Sequence, residues 1–153
     1  MNVLVVNSGS SSVKFKLFAM PDHRILSSGR VEGIGIGNDG GKARLVFSRP
    51  GHDDIRQEFE CWDHQEAVER FFKVLVSPEY RGEKNIDLIG HRVVHGGERF
   101  FKPVMIEGDV IRELETLREL APLHTPINVE CIRACSRLLP DTPMLAGFDT
   151  AFS

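Results

Sequence analysis

The chain has 153 residues, 41% of them hydrophobic and 27% charged, with a net charge of −3. These values fit one globular domain with a substantial core, and without a block of Lys or Arg they give nucleic-acid binding little electrostatic support. No stretch approaches the ~20 apolar residues that span a bilayer, residues 1–20 lack the basic and apolar regions of a signal peptide, and Cys61, Cys131 and Cys135 do not suggest a disulfide framework, so no membrane partner and a cytoplasmic setting are expected.

Val3 to Val6 reads as a buried strand, and Asn7 to Ser11 as a turn of small residues. Ser12 to Phe18 then alternates, with Val13, Phe15 and Leu17 on one face and Lys14 and Lys16 on the other. The hairpin therefore presents Asn7, Ser8, Gly9, Ser10, Ser11 and Ser12, followed at once by Lys14. Hydroxyls, exposed backbone N–H groups and a lysine at a tight turn suit phosphate oxygens. A solvated serine-rich turn is an equally good reading of the turn alone. It is not a P-loop, which needs two glycines ahead of Lys-Ser/Thr and opens a helix; here the pattern downstream has period two.

Pro21-Asp22 marks a turn, Ile25 to Val31 a third strand, and Gly33 to Gly41 a loop. Ala43 to Phe47 and Ile55 to Phe59 alternate and are expected to pair, giving a run of about five antiparallel strands with this hairpin as an insertion. Asp63 with Glu66 three residues on is a helix start, and Ala67, Val68, Phe71, Phe72 and Leu75 follow at helical spacing up to Pro78. Ile86 to Ile89 is a short strand running into Gly90-His91-Arg92-Val93-Val94-His95-Gly96-Gly97-Glu98. Arg92 suits a carboxylate or phosphate because its planar fork donates two parallel hydrogen bonds; a surface ion pair is the plain alternative. His91 and His95 read better as structural hydrogen-bonding groups.

Asp109 can cap a further helix. His124 stands just ahead of Thr125-Pro126, a cap with proline at the first helical position. The helix N-terminus there favours anions and a neutral imidazole, although a histidine satisfied by the cap reads equally well. Ile127, Cys131, Ala134 and Leu138 form the buried stripe of this helix, and the two cysteines belong to core packing because no second pair completes a tetrahedral metal site. Met144 to Ala146 is a last strand, ending in Asp149, which suits either Mg²⁺ or an Asx-turn. The order is three strands, a hairpin, then α-β-α-α-β, a mixed sheet with flanking helices. The candidate set contains no nucleophile with its base; it suits positioning and charge neutralisation of a phosphoryl group.

VLVVNSGSSSVKF, GHRVVHGGERF, LAPLHTP and FDTAF, in this order and spacing, closely resemble the acetate kinase (acetokinase) family of the actin, sugar-kinase and Hsp70 superfamily. The resemblance runs from Met1 to Phe152. It implies a ribonuclease-H-like (actin-like ATPase) α/β domain with a mixed five-stranded sheet, an antiparallel β-meander, flanking helices and the hairpin insertion. It also implies transfer of a phosphoryl group from ATP to acetate, giving acetyl phosphate and ADP, with Mg²⁺ or Mn²⁺. By this resemblance Asn7 approaches the nucleotide phosphates and the metal, and Ser10, Ser12 and Lys14 belong to the first phosphate-binding region. Arg92 binds the carboxylate and the transferring phosphoryl group, while Val94 and Leu123 wall the pocket for the substrate methyl. His124 stabilises the transition state, and Asp149 helps hold the metal and orient the carboxylate.

Departures from the family pattern are Thr125 and Ile127 where LHNPAN is usual, and Ser153 where histidine is common. Family members carry a second, similar domain with the adenine pocket; residues 1–153 match the N-terminal one. The whole enzyme is expected to be a homodimer, and this part alone to be inactive. Propionate or butyrate kinase is the alternative within the class. A non-catalytic ligand- or partner-binding fragment, self-associating through an apolar face, is the alternative outside it.

Overall fold

The computed structural model describes residues 1–35, 42–80, 84–93, 104–106 and 126–148. The alternating segments become strands β1 (Asn2–Ser8), β2 (Ser12–Ala19), β3 (Arg24–Glu32), β4 (Lys42–Ser48) and β5 (Ile55–Glu60). Helix α1 (His64–Leu75), strands β6 (Leu88–Val93) and β7 (Val104–Ile106), helix α2 (Pro126–Leu138) and strand β8 (Met144–Phe148) follow. Among the described residues all eight strands join one sheet in the order β5-β4-β3-β2-β1-β6-β8-β7. The meander β1 to β5 is antiparallel throughout. β6 pairs in parallel with β1 and β8, and β7 closes the far edge antiparallel to β8.

The α/β class and the mixed sheet with its meander match the expectation, but the sheet has eight strands where five were expected. The β4–β5 hairpin is not a separate insertion. Ala43, Leu45 and Phe47 point to the same buried face as Val31 and Phe15, so β4 extends the ladder of β3. β7 went unforeseen because it is three residues long, with Met105 exposed and Ile106 buried, too short for a periodic signal. β6 begins two residues later than Ile86 and carries Arg92 inside the strand. Asn7 and Ser8 likewise belong to β1, leaving Gly9 to Ser11 as the turn. The helix expected from Asp109 lies outside the described residues.

α1 starts where the cap requires: Asp63 Oδ1 accepts from the Glu66 amide at 2.8 Å. α1 and α2 pack side by side on the apolar face of the sheet. At the centre, the Phe71 ring of α1 stacks on Phe15 at 4.1 Å between centroids and 6° between planes, with Phe47 at 5.3 Å. Gly29 of β3 makes room for it, since a Cβ there would lie 2.9 Å from the Phe71 ring. Cys61, Cys131 and Cys135 are all buried with free thiols, in keeping with core packing. On the opposite face of the meander, Lys14, Lys16, Arg30 and Arg44 are exposed.

Candidate phosphate and carboxylate site

In a strand, successive side chains point to opposite faces of the sheet. In β1 this sends Leu4 and Val6 toward the helices and Val5 and Asn7 to the open face. The register then sets neighbours: Asn7 lies opposite Lys14 on β2 and opposite Arg92 on β6. The row continues to Arg30 beside Lys14, and to Gly147 of β8 beside Arg92. Adjacent strands stand roughly 5 Å apart, so one row across the sheet spaces an amide and three cations at intervals suited to successive phosphate or carboxylate groups. Asn7, Lys14 and Arg92 line one cleft of about 360 Å³, together with Val5, Lys16 and Phe18. The row lies toward the carboxyl ends of the parallel strands β1, β6 and β8, where open α/β sheets place their ligands.

The alternation that turns Arg92 outward turns His91 inward. His91 is buried, its Nε2 lies 3.4 Å from the Met144 sulfur, and burial pushes its pKa down to about 3. It is a neutral core residue with a structural role. Ser8 also points inward, away from Asn7. Its hydroxyl donates to Asn128 Oδ1 of α2 at 2.8 Å and bonds the Cys131 thiol, which burial pushes up to about 12. Ser8 is therefore a tie to the helices and not a phosphate contact. Ser12 shares the Lys14 face of β2, and Ser10 is exposed at the tip of the turn.

The turn is closed by the Gly9 amide donating to the Ser12 carbonyl at 2.8 Å. The Ser11 carbonyl accepts from the Ile34 amide at 3.0 Å, and the Gly9 carbonyl accepts from His64 Nε2 at 2.7 Å. Gly9 has little room to spare: a Cβ would fall 3.0 Å from the Ser12 hydroxyl. His64 and Asn128 were not foreseen. His64 follows a cap and Asn128 follows the cap and proline of α2, so each reads locally as part of a helix start, and both partners lie far away in sequence.

The structure brings Asn7, Lys14 and Arg92 together at one cleft, with Ser12 on the Lys14 face of β2 and Ser10 at the tip of the turn; Val94, Leu123, His124 and Asp149 lie outside the described residues. Among the described residues no group of three His, Cys, Asp or Glu could hold a metal ion, and of the two expected metal contacts only Asn7 is described. Mg²⁺ needs one or two protein ligands beside phosphate oxygens and water, so an amide oxygen bordering this cation-lined cleft fits such a site as one contributor.

The family model of the acetokinase family matches residues 2–153. The chain belongs to the acetokinase family. Members similar to it include acetate kinases from Caldanaerobacter subterraneus subsp. tengcongensis, 43% identical over 99% of this chain and 38% of the relative, and from Thermotoga maritima, 44% identical over 99% of this chain and 37% of the relative. The acetokinase-family chain therefore spans less than two-fifths of the length of these relatives. Among solved structures it resembles Porphyromonas gingivalis acetate kinase (TM-score 0.77, 40% identity, 99% of this chain and 38% of that one). It also resembles a propionate kinase from Francisella tularensis subsp. tularensis (TM-score 0.74, 36% identity, 99% and 37%). These structural relatives have an actin-like ATPase fold, as expected for the acetokinase family. Among the described residues no helix is long and apolar enough to cross a membrane.

Proposed function

We propose that residues 1–153 form the N-terminal, carboxylate-binding part of an ATP-dependent acetate kinase. The observation that carries this is the row Lys14–Asn7–Arg92 across three neighbouring strands at one cleft. In the reaction a carboxylate oxygen of acetate attacks the γ-phosphorus of ATP. The new P–O bond forms as the bond to the β,γ-bridging oxygen breaks, and ADP leaves with the electron pair. Ser10, Ser12 and Lys14 hold phosphate oxygens, and Arg92 holds the acetate carboxylate beside the transferring group, its fork neutralising both. Val94 and Leu123 close around the methyl group, His124 donates to the charge that builds on the phosphoryl oxygens, and Asp149 orients the carboxylate. Asp149 and Asn7 would hold Mg²⁺, which would supply charge neutralisation on the phosphates.

In this reading the adenine pocket belongs to the second domain of the whole enzyme, which forms a homodimer. Alone, these 153 residues are expected to make no acetyl phosphate at an ordinary enzymatic rate. Likeness to a propionate kinase gives the second reading, propionate as acceptor. One methylene in such a pocket is worth only ~1–3 kcal/mol, so both acids are expected to react with a modest preference. The test replaces the N-terminal part of Thermotoga maritima acetate kinase with this chain and traps acyl phosphates as hydroxamates from acetate, propionate and butyrate. Acyl phosphate formation with at least one acid is expected. A folded, ATP-binding fusion that gives none with any of the three contradicts the reading.

A further inference from the structure

The turn that carries Ser10 is held in shape from outside. Two side chains from two helices reach it: His64, the first residue of α1, through the Gly9 carbonyl at 2.7 Å, and Asn128 of α2 through the Ser8 hydroxyl at 2.8 Å. We propose that His64 and Asn128 are positioning residues that clamp the hairpin turn between α1 and α2 and so set its affinity for phosphate groups. The second half of that statement rests on the phosphate reading above; the first half does not.

The chemistry of each contact is fixed. A carbonyl oxygen only accepts, so His64 Nε2 carries the proton it shares with Gly9. His64 is 5% exposed, and water therefore does not readily replace it. Ser8 donates through its hydroxyl, so Asn128 presents its amide oxygen. The two anchors are themselves joined, because Glu130 Oε1 of α2 accepts from the Gln65 amide in the first turn of α1 at 2.9 Å. Arg137 of α2 and Glu69 of α1 pair farther along at 3.1 Å. The result is a closed circuit: Gly9 to His64, α1 to α2 through Gln65 and Glu130, Asn128 back to Ser8. Binding to a turn already held in one shape avoids the ordering cost that a free serine-glycine turn would incur.

The probe is inorganic pyrophosphate added to the 153-residue chain, with amide chemical shifts at residues 9–14 and hydrogen exchange at the Gly9 amide as readouts. His64→Ala and Asn128→Ala are each expected to weaken pyrophosphate binding about fivefold and to speed Gly9 exchange by a similar factor, the scale of one lost hydrogen bond. The circular dichroism of the sheet and helices should stay unchanged. His64→Gln, whose amide nitrogen replaces Nε2, and Asn128→Asp, which keeps the acceptor, should restore both readouts to within about twofold of the parent. Should the alanine variant unfold, His64→Asn, whose amide falls short of Gly9, takes its place. Unchanged exchange in the alanine variants, or a glutamine variant no better than alanine, overturns the clamp. If the parent chain binds no pyrophosphate yet His64→Ala still speeds Gly9 exchange, the clamp stands and the phosphate reading fails.

Discussion

His91 and Arg92 are consecutive in sequence and opposite in environment, and their contrast explains much of the site. The side-chain period of a strand gives Arg92 the cleft and His91 the core. His91 titrates near 6.5 when exposed, while burial holds it near 3 in the fold. Below 6.5 the unfolded chain binds a proton that the folded chain refuses, so stability is full above that pH and falls as pH drops from 6.5 toward 3. The loss accumulates at up to about 1.4 kcal/mol per pH unit. Urea unfolding of the parent and of His91→Leu, followed from pH 7 to 4, should therefore diverge, with the parent losing more. Parallel curves would refute the assignment of His91 as a buried neutral group.

The residues legible beforehand at this scale were those whose neighbours lie close in sequence, such as Lys14 on the polar face of its strand. Ser8 was not among them. Its position looks like turn, and only the pairing of Ser8 with Val13 shows that it belongs to the strand and faces inward.

At the scale of elements, the hairpin β1–β2 and helix α1 depend on one contact layer. Phe71 sits against Phe15 and Phe47 because Gly29 leaves space on β3 between them. Replacing a strand glycine with alanine ordinarily restricts the unfolded chain and favours folding. Here the added methyl would meet the Phe71 ring, so Gly29→Ala is expected to destabilise by about 1–3 kcal/mol, the usual cost of overpacking a filled core. The double variant Gly29→Ala, Phe71→Leu should recover part of that loss, and thermal unfolding reads both. A Gly29→Ala variant more stable than the parent would show that the ring yields without cost.

Element type was legible wherever periodicity ran long. The meander strands, α1 with its Asp63 cap, and α2 behind its proline all appear at their expected places. What escaped were edges and memberships. β7 carries too few residues to show a period, and the β4–β5 hairpin could not be assigned to the main sheet from its own alternation, because that pattern specifies an inward face without specifying whose face it joins.

At the scale of the molecule, among the described residues one sheet carries both the core and the candidate row. Its apolar face, covered by α1 and α2, holds the strands in register. That register brings side chains from distant parts of the chain, Asn7, Lys14 and Arg92, into one row. Family motifs located these residues in sequence, but their adjacency follows from β6 entering the sheet parallel to β1, a long-range pairing that no local pattern encodes. The row is the core of the functional reading, and Arg92 is its most exacting member because the proposed role asks one fork to serve both a carboxylate and a phosphoryl group.

The decisive measurement is steady-state acyl phosphate formation by the Thermotoga fusion carrying Arg92→Ala, set beside Arg44→Ala from the same sheet face but away from the row. Loss of a cation that neutralises the reacting groups should lower kcat/KM for the carboxylate roughly 100-fold or more, with Arg44→Ala within about twofold of the parent. An Arg92→Ala fusion that folds and retains kcat/KM within about threefold would contradict the assignment of this row as the phosphoryl and carboxylate site.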